Sequence, residues 1–105
     1  RPRTMRIRLD GRLVPGVTAK DLALALLARF GAGGGAGHAV EYAGSAVAAM
    51  DMEARMTLCN MATEFAAFTG IIAPDEAAFA FLAGRRYAPQ AFDSPYWQSL
   101  VSDAD

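Results

Sequence analysis

The sequence predicts an α/β domain fragment, layered α/β/α in type, with elements in the order β-α-β-α-α-β-α-α. Three observations predict it. Short aliphatic runs alternate with segments of helical spacing. Threonine, aspartate and glycine sit where helices start and stop. A chain of 105 residues that is 53% hydrophobic and 20% charged can build one core and is not disordered throughout.

Met5 to Leu9 alternates apolar residues with Arg6 and Arg8, the period of a half-exposed strand. Asp10-Gly11 then reads as a hairpin turn with a short return through Leu13, broken by Pro15-Gly16. Thr18 is placed to cap a helix running to Phe30, with Asp21 three residues on completing a capping box. Leu22, Ala25, Leu26 and Arg29 follow helical spacing, and Gly31 stops the helix. His38 to Tyr42 forms the second strand, in which Glu41 can face either way. A short helix, Ser45 to Met50, precedes a long one from Met52 to Gly70. Ile71-Ile72-Ala73 reads as a short buried strand closed by Pro74. Asp75 and Glu76 open a helix with Phe79 and Leu82 on its core side, ended by Gly84. Ser94-Pro95 opens a last helix carrying Tyr96, Trp97 and Leu100.

Met56 to Gly70 is the most informative stretch. At about 100° per residue, Thr57, Asn60 and Glu64 share one narrow strip, while Leu58, Met61, Phe65 and Phe68 share the opposite side. So little charge predicts a helix buried on most sides. A carboxylate is seldom buried without a partner, so Asn60 and Glu64 one turn apart suggest a polar cavity. Two plainer readings stay open: hydrogen bonds to neighbouring backbone, or a strip facing water.

Other chemistry is poorly supported. Net charge is −1, although Arg1, Arg3, Arg6, Arg8 and Arg12 crowd the first twelve residues against Asp10 alone. No aromatic residues interleave with them to stack bases, so no nucleic-acid partner is expected. The glycines between Gly31 and Gly37 follow a helix and open a strand, the reverse of a dinucleotide fingerprint, and no Gly-Lys-Ser/Thr follows. Close backbone packing or a mobile connection fits them better. Cys59 is the one cysteine and His38 the one histidine, so an internal disulfide and a complete metal ligand set on this chain are not expected. His38 reads as a polar strand end. No apolar run is long enough for a membrane span, and a cytoplasmic protein without a membrane partner is expected. A start at Arg-Pro-Arg and an end at Asp105 are expected of a piece of something longer.

Four stretches resemble one family, in order. They are Val17-Thr18-Ala19-Lys20-Asp21-Leu22-Ala23-Leu24; Gly34-Gly35-Ala36-Gly37 with Val40-Glu41-Tyr42-Ala43-Gly44; Met52 through Met61, read MEARMTLCNM; and Ile72-Ala73-Pro74-Asp75-Glu76. The family is the large subunit of 3-isopropylmalate dehydratase, in the aconitase superfamily. The resemblance covers nearly the whole chain but about a quarter of that subunit, so residues 1–105 would be a single partial domain. It implies a hydro-lyase that isomerises 2-isopropylmalate to 3-isopropylmalate by dehydration and rehydration, in leucine biosynthesis. It implies a 4Fe–4S cluster in the full-length protein, a 2-hydroxy acid substrate and a small-subunit partner. Asn60 and Glu64 match the family's active-site hydrogen-bonding network. Cys59 does not match a cluster ligand, because the family's ligand motifs, Cys-Thr-Asn and Cys-x-x-Cys, are not in this sequence. The chain alone is therefore expected to bind no cluster, to be inactive, and to self-associate through apolar faces.

The sequence departs from the pattern at Ala36, Ala54 and Phe65-Ala66, the last pair standing where small residues, typically including Gly, follow the Glu. These changes leave the substrate open, since enzymes acting on methylmalate-type or homoaconitate-type acids share the scaffold. The alternative reading is a stand-alone, non-catalytic module that binds a small acid or a protein partner.

Overall fold

Parallel pairing dominates the backbone. The computed structural model describes residues 1–90 and 95–102, which fall in two compact units, Arg1–Ile72 and Ala73–Asp105. The first unit contains β1 (Arg3–Arg8), α1 (Ala19–Phe30), β2 (His38–Ala43), α2 (Ser45–Ala48), α3 (Met52–Asn60), a 3₁₀ turn (Met61–Phe65) and β3 (Thr69–Ile71). The sheet order is β1-β2-β3 and both pairings are parallel, with Arg3 opposite His38 and Ala39 opposite Thr69. Parallel neighbours need a crossover, and α1 and α3 supply the two crossings. This is the α/β class and the element order that the sequence predicts.

The predicted hairpin after β1 does not form. Asp10 Oδ1 instead accepts a hydrogen bond from the Ser45 amide at 3.0 Å, and the Gly11 amide donates to Ser45 Oγ at 2.9 Å. The segment is thereby tied to the start of α2, not folded back along β1. The Ser45 amide, contributing most, and Arg8 Nε, donating at 2.7 Å, hold the Asp10 carboxyl below its ordinary pKa.

One face of the sheet carries the core. Ile7, Val40 and Tyr42 join Ala23 and Leu26 of α1, Leu58 of α3, and Phe65. Val40 and Leu58 are fully buried, each contributing roughly 1.5–3 kcal/mol by leaving water. Burial pushes the Tyr42 hydroxyl up to about 12, with Cys59 adding to the shift. Residues of the opposite parity face the other way: Glu41 is buried and pairs with its direct cross-strand neighbour Arg6, Nε to Oε2 at 2.8 Å.

The capping box forms as predicted. Thr18 Oγ1 accepts from the Asp21 amide at 3.3 Å, and Asp21 Oδ2 accepts from the Thr18 amide at 2.8 Å. The buried side of α1 is Ala19, Ala23 and Leu26, whereas Ala25 is exposed. The glycine-rich loop is a spacing device. A Cβ at Gly35 would lie 2.8 Å from the Phe65 ring and 2.9 Å from Ala67 Cβ, and the Gly35 amide donates to the Phe65 carbonyl at 2.8 Å.

The long helix predicted to Gly70 is shorter. α3 ends at Asn60, tightens into the 3₁₀ turn, and stops where Ala66 turns left-handed at φ 66°. That break rotates the residues beyond it, so Phe65 is 1% exposed and Phe68 74%, although helical spacing put them on one side. Met56 is also exposed, so the helix is not buried on most sides. The third strand is Thr69–Ile71, earlier than predicted, and Ile71 is exposed rather than buried.

In the second unit, α4 (Glu76–Leu82) is capped by Asp75, whose Oδ1 accepts from the Ala77 and Ala78 amides. Phe79 and Leu82 are half-buried. The Arg85 guanidinium lies over the Phe81 ring, 4.0 Å from its centroid. α5 (Pro95–Gln98) sets Tyr96 edge-on to Trp97. The predicted start of that helix at Ser94 lies outside the described residues.

Candidate functional site

Everything at the predicted site depends on how α3 is held. Asp51 caps its start, Oδ1 accepting from the Ala54 amide at 2.8 Å. One turn on, Arg55 is 2% exposed, and its guanidinium donates to the carbonyls of Met50 and Ala48, each at 3.0 Å. It thus satisfies carbonyls at and just past the end of α2. Sequence reasoning missed this arginine, because its partners are backbone atoms and no residue pattern announces them.

At the other end, Gly70 lets α3 approach β3. A Cβ there would lie 2.7 Å from the Cys59 carbonyl oxygen and 2.8 Å from its Cα. Beside this contact opens a pocket of about 660 Å³, lined by Thr57, Asn60, Met56, Glu53, Cys59, Thr69 and Gly70. The structure therefore brings Asn60 and Thr57 together beside the first residue of β3. Glu64, on the 3₁₀ turn, is not part of that lining.

Asn60 and Glu64 are both exposed, and among the described residues neither side chain is engaged in a hydrogen bond or ion pair. Both side chains face water, one of the two plainer readings of the sequence. Glu64 is not the buried carboxylate that the spacing suggests, because α3 ends before reaching it. Each is open to water: Asn60 offers donor and acceptor, Glu64 two acceptor oxygens.

Cys59 is half-buried and burial pushes its thiol up, the opposite of what an activated thiolate requires. No group of three or more His, Cys, Asp or Glu side chains that could hold a metal gathers among the described residues. The residues present do not fit a 4Fe–4S cluster, which needs several thiolates. His38 Nδ1 donates to the Ala36 carbonyl at 2.9 Å, a strand-end anchor.

A larger pocket, about 840 Å³, lies past the carboxyl ends of β1 and β2, between the segment before α1 and the starts of α1 and α3. Arg12, Lys20, Asp51 and Glu53 line it. Sequence reasoning missed this group, since its members are brought together only by the two crossovers.

The family model for the aconitase family (aconitate hydratase) matches residues 1–105. The chain belongs to the aconitase family. It is 53% identical, over 98% of its length, to the 3-isopropylmalate dehydratase large subunit of Roseiflexus castenholzii, and covers 23% of that protein. It is equally identical, over the same share, to the large subunit of Anaeromyxobacter dehalogenans, covering 22% of it. The chain thus spans under a quarter of the length of these aconitase-family relatives.

Proposed function

We propose that this chain is part of one domain of an aconitase-family large subunit, and that the assembled enzyme is a hydro-lyase acting on a 2-hydroxy acid. The reading carries through to the isomerisation of 2-isopropylmalate to 3-isopropylmalate in the cytoplasm, with a small subunit as partner. One observation carries it: 53% identity over 98% of the chain to two dehydratase large subunits. A 4Fe–4S cluster, in this reading, is held by residues outside these 105. The chain's own contribution is Asn60 and Glu64. Glu64 accepts a hydrogen bond from the hydroxyl or water at the reacting carbon, and Asn60 orients that network. Both side chains are exposed and unengaged among the described residues, so each is free to meet such groups.

The test is turnover of 2-isopropylmalate by the natural-length polypeptide assembled with its small subunit. Glu64→Gln should lower kcat by roughly 10²–10⁴ and Asn60→Ala by a comparable factor, without loss of the folded state. The 105-residue chain alone should show no turnover. Unchanged kcat in both variants would overturn the site, and turnover by the short chain would overturn its dependence on the rest.

A further inference from the structure

The 840 Å³ pocket past the carboxyl ends of β1 and β2 shares Glu53 and Thr57 with the pocket around Asn60, but Arg12, Lys20 and Asp51 line it alone. Its charges are sorted by element. Arg12, from the segment after β1, and Lys20, at the start of α1, form a cationic side; Asp51 and Glu53, at the start of α3, form an anionic one. Arg12 and Lys20 make no ion pair among the described residues, and neither does Glu53. Asp51 keeps one oxygen on the Ala54 amide. Leu13, Val17 and Met50 add apolar surface to the same lining.

We propose that this pocket binds a zwitterion with an aliphatic body, namely an α-amino acid with a branched or linear alkyl side chain. Its carboxylate meets Arg12 and Lys20, its ammonium meets Glu53 and Asp51, and its side chain covers Leu13, Val17 and Met50. Two formal positive and two formal negative charges line the pocket, so a neutral zwitterion matches it and a dianion does not. Arg and Lys suit a carboxylate, and a charge-assisted bond at each end gives the selectivity.

The test is calorimetric titration of the natural-length polypeptide with L-leucine and its two half-ligands, 4-methylpentanoate and 3-methylbutan-1-amine. Leucine should bind about tenfold or more tightly than either, since each half-ligand forfeits a charge-assisted contact. Glu53→Gln should weaken leucine and the amine but leave 4-methylpentanoate unchanged; Lys20→Gln should do the converse. Both side chains are exposed, so thermal melting should be little altered. Amide shifts caused by leucine should map to Val17 and Ala49 rather than to Asn60 and Thr69, a readout independent of the variants. Equal affinity for all three ligands, no binding at millimolar concentration, shifts centred on Asn60, or preference for a 2-hydroxy dicarboxylate would each overturn the proposal.

Discussion

At the scale of single residues, Ala66 is the chain's one positive-φ residue other than glycine among those described. It turns the backbone left-handed at the end of the 3₁₀ turn, with its amide bonded to the Thr63 carbonyl. A side chain in that conformation costs roughly 1–2 kcal/mol, part of which glycine would return through its own greater flexibility when unfolded. Ala66→Gly should therefore stabilise the fold by about 0.5–1 kcal/mol, a rise of a few degrees in Tm by calorimetry. The sequence held a hint of this, since Phe65-Ala66 stands where the resemblance leads one to expect a glycine nearby. It held no hint of Arg55, whose buried guanidinium caps carbonyls five and seven residues earlier.

At the scale of elements, two of the carboxylates that close helix starts titrate low. Asp21 completes the capping box of α1 by accepting from the Thr18 amide, Asp10 accepts from the Ser45 amide at the start of α2, and these bonds hold both carboxyls below their ordinary pKa. A lowered folded-state pKa means stability that is fully present above the ordinary carboxyl range and lost as pH falls beneath it. Thermal melts should be flat at neutral pH and weaken below about pH 4, and Asp10→Asn should flatten part of that acid limb. The two caps were not equally legible. Thr18 and Asp21 are three residues apart and announce themselves; Asp10 and Ser45 are 35 apart, and Asp10-Gly11 imitates a hairpin turn. The α3 segment failed differently. Its apolar spacing is helical throughout, and nothing in Met61 to Phe65 signals the tighter turn that separates Phe65 from Phe68. Asn60 and Glu64 are polar in the sequence and exposed in the structure, but the helical strip that spacing predicts for them is cut by that unseen break.

At the scale of the molecule, the first unit leaves large apolar side chains in water. Phe68 is 74% exposed, Ile71 52% and Met56 49%. Surfaces of this kind mark places where other protein packs. The 105-residue chain should associate with itself in a concentration-dependent way, more strongly in ammonium sulfate, and Phe68→Ser should reduce the effect. Light scattering reads it directly, and a strictly monomeric species at high concentration would remove the idea. The α/β class and the element order were readable from the sequence because crossovers and caps are local. The strand partners and both pockets were not, because they join segments that only the folded crossovers bring together.

Parallel pairing throughout the sheet also has a consequence in time. Arg6 meets Glu41 across 35 residues, and β3 follows β2 by a comparable interval. At roughly 5–20 residues per second, β1 would leave a ribosome several seconds before β2 exists to pair with it. During that interval only α1, with its own cap at each end, can form from local contacts. The arginines that alternate along β1 give the waiting edge a charge that discourages neighbouring nascent chains from adding to it.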